Sequence, residues 1–328
     1  MVVIDLFGTL NAWRQRHMAV FRATGAALAG LIALWFVSWL LVGDGLLLVR
    51  WGAFAAPLLA TLSLVAAGMF ALGRRPWWGA SATGLALLIL LPVIPRFNPA
   101  RWFRTSEADD LRVMTFNSST LNTDYAAVAG LIVREHPDIV FLQQTRDLPA
   151  LLRKIRTLPG SFQYQRFPTH AADAVILSRF ALSNGQEFPA QVGAVIAIDA
   201  CHVRLWSLHA PHGQLDIDTQ QYFFEQAALS VADEKLPVIA GGDLNSTEFN
   251  SDQAPLRAQL IDAFATAGAG LGFTFPSHVR RFGTFGRLFR IDYIFFRGLV
   301  ATAAWTVGDN AKSDHFPVEA TFRKVICK

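Results

Sequence analysis

Polar residues recur at the ends of short apolar runs along the second half of this chain. Asn117 closes the run at 111–116, Gln144 follows the run at 138–142, and His209 closes the run at 203–208. Asp243 and Asn245 follow residues 238–240 in the segment Gly-Gly-Asp-Leu-Asn. Asp292 sits inside the apolar run 291–296, and Asp314 and His315 come just before the run 317–322. Strand ends gather on one face of a sheet domain, so these side chains can share a pocket. Carboxylate and amide oxygens suit a hard cation such as Mg²⁺, which keeps several of its waters. Hydrolysis of a phosphate ester uses such a cation to neutralise charge on oxygen. A carboxylate can orient and deprotonate the attacking water, and histidine can do acid–base work. Asp292 is costly in an apolar strand unless paired. His315 is its natural partner, because a carboxylate fixes the imidazole tautomer. Each residue alone has a plainer reading: Asn117 as a turn residue, Asp243–Asn245 as an Asx turn, Ser313–His315 as a loop before a strand. Their joint occurrence in order carries the chemical reading.

The elements that must position them alternate between strand and helix. Strands are expected at 111–116, 138–142, 174–177, 194–198, 203–208, 237–240, 291–296, 302–307 and 317–322. Helices are expected at 124–134, capped by Asn122 or Thr123, at 216–234, capped by Asp216, and from 255 to about 265. Together they describe a layered α/β domain over residues 111–328, a usual size for one domain.

The first third of the chain is different. The whole sequence is 52% hydrophobic and only 16% charged, against roughly a quarter charged in soluble chains. Residues 1–104 hold nine arginines and two carboxylates, a balance of +7, while residues 105–328 balance at −3. The basic character therefore belongs to the N-terminal part and does not argue for nucleic-acid binding by the rest. Apolar runs at 23–42, 53–72 and 77–95 are each long enough to cross about 30 Å of hydrocarbon. Three transmembrane helices are expected within 1–95, followed by a linker at 96–110. Tryptophans at 51, 77, 78 and 102 lie at the ends of these runs, where indole favours the membrane interface. The short Arg74–Arg75 connector favours the cytoplasm, which puts the N-terminus inside and, after three crossings, the C-terminal domain outside. An integral protein of a bacterial-type inner membrane with a periplasmic or extracellular catalytic domain is the expectation. Two cysteines, Cys201 and Cys327, show no metal-ligand spacing, so zinc is unsupported. They read as free buried thiols, or as a disulfide if the domain is exported.

The segments LRVMTFN (111–117), PDIVFLQQT (137–145), VILSR (175–179), SLHAPHG (207–213), GGDLNS (241–246), RIDYIF (290–295) and KSDHFPV (312–318) together resemble the endonuclease/exonuclease/phosphatase superfamily. That superfamily includes pancreatic-type deoxyribonuclease, abasic-site endonucleases, sphingomyelinases and inositol-phosphate phosphatases. The resemblance covers 111 to about 322 and implies a four-layer α-β-β-α sandwich with a metal-dependent phosphoesterase site. It implies that Asn117, Gln144 and Asp314 serve the metal, which is Mg²⁺, or Mn²⁺ or Ca²⁺. It implies that Asp243 activates water beside Asn245, that His209 contacts phosphate, and that Asp292 holds His315 for charge stabilisation. The family carries Glu where this chain has Gln144, so the main metal carboxylate is replaced by an uncharged amide. Three readings are open: a change introduced to disable the enzyme, favoured because every other motif is intact; a natural binding-only homologue; or compensation by other oxygens.

Five arginines, at 280, 281, 287, 290 and 297, fall together with Phe282, Phe285 and Phe289 interleaved. They read as an exposed loop that meets anionic substrate or lipid headgroups, or equally as a solvated loop with core phenylalanines. Arg179, Arg281 and Arg287 are the candidate substrate-binding cations. A membrane tether raises the effective concentration of lipid-borne phosphates. A lipid or lipid-linked phosphodiester is the expected substrate and the lipid bilayer the expected partner. Extracytoplasmic nucleic acid is the runner-up; a phosphate-binding module or a membrane scaffold remains open.

Overall fold

The computed structural model describes the chain except for residues 1–5, 104–105, 162–163, 167–172, 189, 199–200, 214–215, 279–285 and 324–328. It divides into two compact units, Met1–Ile94 and Pro95–Lys328.

The first unit is helical: α1 (Leu6–Val42), α2 (Leu47–Phe54), α3 (Ala56–Leu72) and α4 (Pro76–Leu90). Two stretches, Arg16–Val42 and Pro76–Phe97, are long and apolar enough to cross a membrane. The expected span at 53–72 is not one straight helix. It is the pair α2 and α3, bent by 79° at Ala55. Pro57 in the first turn of α3 explains the break: proline has no N–H to bond back to the carbonyl four residues earlier, and its ring crowds that carbonyl, so α2 cannot run on through it. Arg50 is buried 3.5 Å from Asp44.

The second unit holds two six-stranded mixed sheets. One has the order β11-β12-β1-β2-β4-β3 and the other β5-β6-β7-β8-β10-β9. The strands are β1 (Leu111–Asn117), β2 (Ile139–Gln143), β3 (Gln165–Arg166), β4 (Ala174–Ser178), β5 (Leu182–Phe188), β6 (Gln191–Ile198), β7 (Cys201–His209), β8 (Val238–Asp243), β9 (Ile261–Asp262), β10 (Asp292–Arg297), β11 (Ala301–Thr306) and β12 (Val318–Phe322). Helices α5 (Tyr125–Glu135), α6 (Leu148–Thr157), α7 (Ile217–Ala232), α8 (Ala254–Gln259) and α9 (Ala263–Ala267) complete it. Val113, Phe141 and Ile176 from one sheet pack with Ala194, Leu205, Ile239 and Ile294 from the other, and this layer is the main core. A second core lies where α5 and α6 cover β1, β2 and β4. A third lies where α7 and α8 cover β7, β8 and β10. The result is the expected α/β sandwich.

Local chemistry sets the element ends. The cap of α5 is Asp124, whose carboxylate accepts from Ala127 N at 3.0 Å, rather than Asn122 or Thr123. Asn122 instead accepts from the Asp124 amide. Asp216 caps α7 as expected, accepting from Thr219 N at 3.1 Å. The helix expected from 255 to 265 is interrupted by β9, because Asp262 both caps α9 and pairs with a buried arginine. Residues from the expected linker pack inside this unit: Arg96 meets Glu248 at 2.7 Å and Arg101 donates to the Ala265 carbonyl. Cys201 is disulfide-bonded and not a free thiol, while Cys327 lies outside the described residues.

Glu319 in β12 is fully buried. It lies opposite Met114 and Trp305, and neither of its carboxylate oxygens has a hydrogen-bond partner among the described residues. Burial raises its pKa to about 8, against the opposing pull of Arg112 3.9 Å away. Below about 4.5, its ordinary value, the carboxyl is protonated in both states and costs nothing. Between about 4.5 and about 8 only the unfolded chain ionises, so folding loses about 1.4 kcal/mol per pH unit from this group. Glu319→Gln is expected to flatten the fall in thermal midpoint between pH 5 and pH 8. Parallel pH profiles for the two proteins in detergent would contradict it.

Candidate active site

Strand register places the reactive side chains. In the parallel pair β7–β8, His209 lies beside Asp243. In the antiparallel pair β8–β10, Asp243 lies opposite Asp292. Residues directly opposite one another project to the same face, so an imidazole and two carboxylates line up across three strands. In the other sheet, Asn117 lies beside Gln143 at the matching end. The Asn117 amide donates to Asp243 Oδ2 at 2.8 Å and so joins the two sheets. Gly241 makes this approach possible, and Gly242 lets β8 lie close against β7 in its own sheet. A Cβ on Gly241 would run into the Phe141 ring of the facing sheet, and one on Gly242 into the Leu208 carbonyl.

Asp243 is the hub. Its Oδ1 accepts from Asn245 N at 2.9 Å, and Oδ2 lies 3.7 Å from His315 Nε2 and 4.0 Å from His209 Nε2. Asn245 adopts φ 46°, a left-handed turn that asparagine tolerates, and its side-chain amide donates to the Ala210 carbonyl at 2.8 Å. His315 Nδ1 lies 3.0 Å from Asp292 Oδ2, the pairing expected from the sequence. Burial pushes the His315 pKa down, but Asp292 and Asp243 outweigh it and raise it to about 9. Burial raises the Asp292 pKa, His315 pulls it down, and Asp243 pushes it up again. Asp314 is buried beside them and also raises the His315 pKa.

Several positioning residues carry no sequence signal of their own. The Ser313 hydroxyl donates to the Asn117 carbonyl at 2.7 Å and accepts from His315 N at 3.1 Å. Ser277 in turn donates to the Ser313 carbonyl at 2.6 Å. Phe275 packs on the His315 ring at 4.9 Å. Serine and phenylalanine in a loop are too common to be singled out before the loop is folded.

The adjacent glutamines behave differently. Gln143 is buried between the sheets and reaches Ser207 at 3.4 Å. Gln144 turns to φ 55°, stays half-buried, and lines the mouth of the site with His209 and Asp173. Oxygen and nitrogen atoms of Asp243, Asp292 and His315 lie within 4.8 Å of one another. The carboxylate oxygens of this cluster are hard donors that suit a divalent cation of the Mg²⁺ kind.

Two of the three cations expected to bind substrate, Arg179 and Arg287, are not brought here. Arg179 pairs with Asp138 at 2.6 Å. That is the far end of β2, because antiparallel pairing sets Ser178 opposite Ile139 and Ala174 opposite Gln143. Arg287 stacks 3.5 Å from the Phe316 ring centroid, and burial lowers its pKa. It lines a different hollow, with Trp102 and Trp305. Arg281 lies outside the described residues. Two others in the arginine cluster are structural. Arg290 is buried in a two-pronged pair with Asp262 at 2.6 and 2.8 Å. Arg297 donates to the Val231 and Glu234 carbonyls at the end of α7.

Residues 114–315 match the endonuclease/exonuclease/phosphatase family, and the chain belongs to it. Comparison with curated protein sequences returns no match. Solved structures share the fold at low identity. An endonuclease/exonuclease/phosphatase family protein from Leptotrichia buccalis aligns with TM-score 0.53 and 16% identity, over 65% of this chain and 99% of its own. TDP2 from D. rerio, bound to a single-strand DNA product, aligns at 0.53 and 18%, over 66% of this chain and 100% of its own. A mannosyl-6-phosphatase from Bacteroides thetaiotaomicron aligns at 0.52 and 17%, over 65% and 99%.

Asp292→Asn removes the charge that holds the His315 proton. The His315 pKa is expected to drop from about 9 by at least one unit, read by NMR titration of labelled histidine. A resonance that still titrates near 9 would show that Asp292 does not hold it.

Proposed function

We propose that this chain is a membrane-anchored, divalent-metal-dependent phosphoester hydrolase. The observation that carries the reading is the buried Asp243 carboxylate, bonded to Asn117 and flanked by His315 and His209. In this proposal Asp243 orients the attacking water and takes its proton. His315, held protonated by Asp292, donates to the phosphoryl oxygen as charge develops there. Asn117, Asn245 and His209 hold the remaining phosphate oxygens. Preorganised donors of this kind lower the barrier because they need no rearrangement as the reaction proceeds. Asn117, Gln144 and Asp314 are the proposed residues for a cation, Mg²⁺, Mn²⁺ or Ca²⁺. When bound it supplies positive charge for the phosphate oxygens. Gln144 offers an oxygen without charge, so cation affinity in this form is low.

A lipid or lipid-linked phosphodiester is the favoured substrate, because the apolar N-terminal helices support a membrane tether. Nucleic acid is the second reading, supported by the DNA product held by the TDP2 neighbour. If the bent pair α2–α3 forms one crossing, the second unit lies outside the cytoplasm. The disulfide at Cys201 supports this, since disulfides persist in oxidising compartments.

Gln144→Glu is expected to raise Mg²⁺-dependent hydrolysis at least tenfold over the Gln144 protein, assayed on phospholipids, simple phosphate esters and DNA. Activity that ignores a chelator would end the metal-dependent reading, and none in either form on any ester would end the hydrolase reading. A C-terminal alkaline phosphatase fusion is expected to be active in cells, since that reporter matures only outside the cytoplasm. An inactive fusion, with a cytoplasmic reporter active in its place, would reverse the topology.

A further inference from the structure

The catalytic edge opens onto a cleft of about 690 Å³ that runs along α7. Small-ligand sites occupy roughly 300–1,000 Å³. One end is built by Gln144 and His209, so the cleft is continuous with the site. Its walls come from α7 on one side and the turn between β5 and β6 on the other. Tyr222 and Leu229 project into it from one face of α7, seven residues apart, and Phe188 faces them from the end of β5. These three side chains are 64%, 66% and 47% exposed. Large apolar groups this open, grouped around one cleft, mark a binding surface.

The charge of the lining is as informative as its polarity. No lysine or arginine is among the described residues that line the cleft, and its fully charged member, Asp173, is negative. A nucleic-acid strand draws its affinity from cations along its phosphates, and none are offered here. Gln191, on the cleft wall, is 2% exposed, and its Oε1 has no hydrogen-bond partner among the described residues.

We propose that this cleft seats the apolar alcohol of the substrate, a single alkyl or alkenyl chain whose phosphate lies at Asp243. The inference rests on the phosphoesterase reading for the position of the phosphate, but not for the existence of the cleft. It separates a lipid-type ester from a nucleic acid by the path the leaving group must follow.

The test uses the full chain in lipid nanodiscs, with empty nanodiscs as the control for partition into the bilayer. Methyl-, butyl-, hexyl- and octylphosphonate are titrated calorimetrically in the presence of a chelator. In parallel, the matching methyl alkyl phosphodiesters are assayed with Mg²⁺ in the Gln144→Glu form for release of the alkyl alcohol and methyl phosphate. The Kd is expected to fall roughly two- to fourfold per methylene until the cleft is filled. Leu229→Asp and Phe188→Asp, both at exposed positions, are expected to abolish this chain-length dependence. Chain-length-dependent binding that these variants abolish upholds the cleft even if no ester is hydrolysed, and the catalytic reading alone then fails. Binding that ignores chain length, or that survives both variants unchanged, overturns the cleft even if hydrolysis is found.

Discussion

A buried carboxylate at the seam of two sheets sets the terms for the rest of this fold. Asp243 is 1% exposed, and a charge so placed is costly unless it is hydrogen-bonded and paired. No single strand can supply its partners. Asn117 comes from the facing sheet, Asn245 from the following turn, and His315 from a loop far along the chain. Satisfying Asp243 therefore requires both sheets to be assembled and their edges aligned. The same contacts gather Asn117, Asn245 and His315 around one carboxylate.

The approach of the sheets depends on what is missing as much as on what is present. Gly241 stands just before Asp243 on β8, and a side chain there would strike Phe141 of the facing sheet. Further from the edge, a second buried ionic system ties the loop before β10 to β9 and to the start of the unit. Arg290 pairs with Asp262, and Arg96 with Glu248, which also meets the Tyr293 hydroxyl. Burial opposes ionisation of both carboxylates, yet Arg290 and Arg96 keep their pKa values below the ordinary range. Breaking such a pair leaves a charge uncompensated, which costs about 3–5 kcal/mol. This is why a basic segment that looks like a surface loop in the sequence is partly core.

The helical unit shows how little distance separates a straight span from a broken one. The residues 53–72 are apolar throughout, but Pro57 stops α2 from running into α3. Hydropathy reads composition and is blind to the direction of the axis. Two further features are visible only after folding: the ion pair that neutralises Arg50, and the disulfide at Cys201.

Much of the candidate site was legible before any coordinates. Asp292 stood out because a carboxylate inside an apolar strand needs a partner, and His315 was the partner the pattern offered. Asn117, His209 and Asp243 stood out as strand-end residues, and most strand positions followed from alternation and apolar runs. β5 escaped because its exposed Ser183, Asn184 and Gln186 break the apolar run. Arg179 was misjudged, because a motif in the sequence does not say at which end of the sheet antiparallel pairing will leave it. Ser277 and Phe275 were invisible, and Ser313 showed only as part of a segment, because their roles depend on geometry alone. Residue type and local period determined which groups could do chemistry and which segments would be strands. Register, the closeness of the two sheets, and the apolar cleft along α7 were decided by the tertiary structure, because each depends on contacts between residues far apart in the chain.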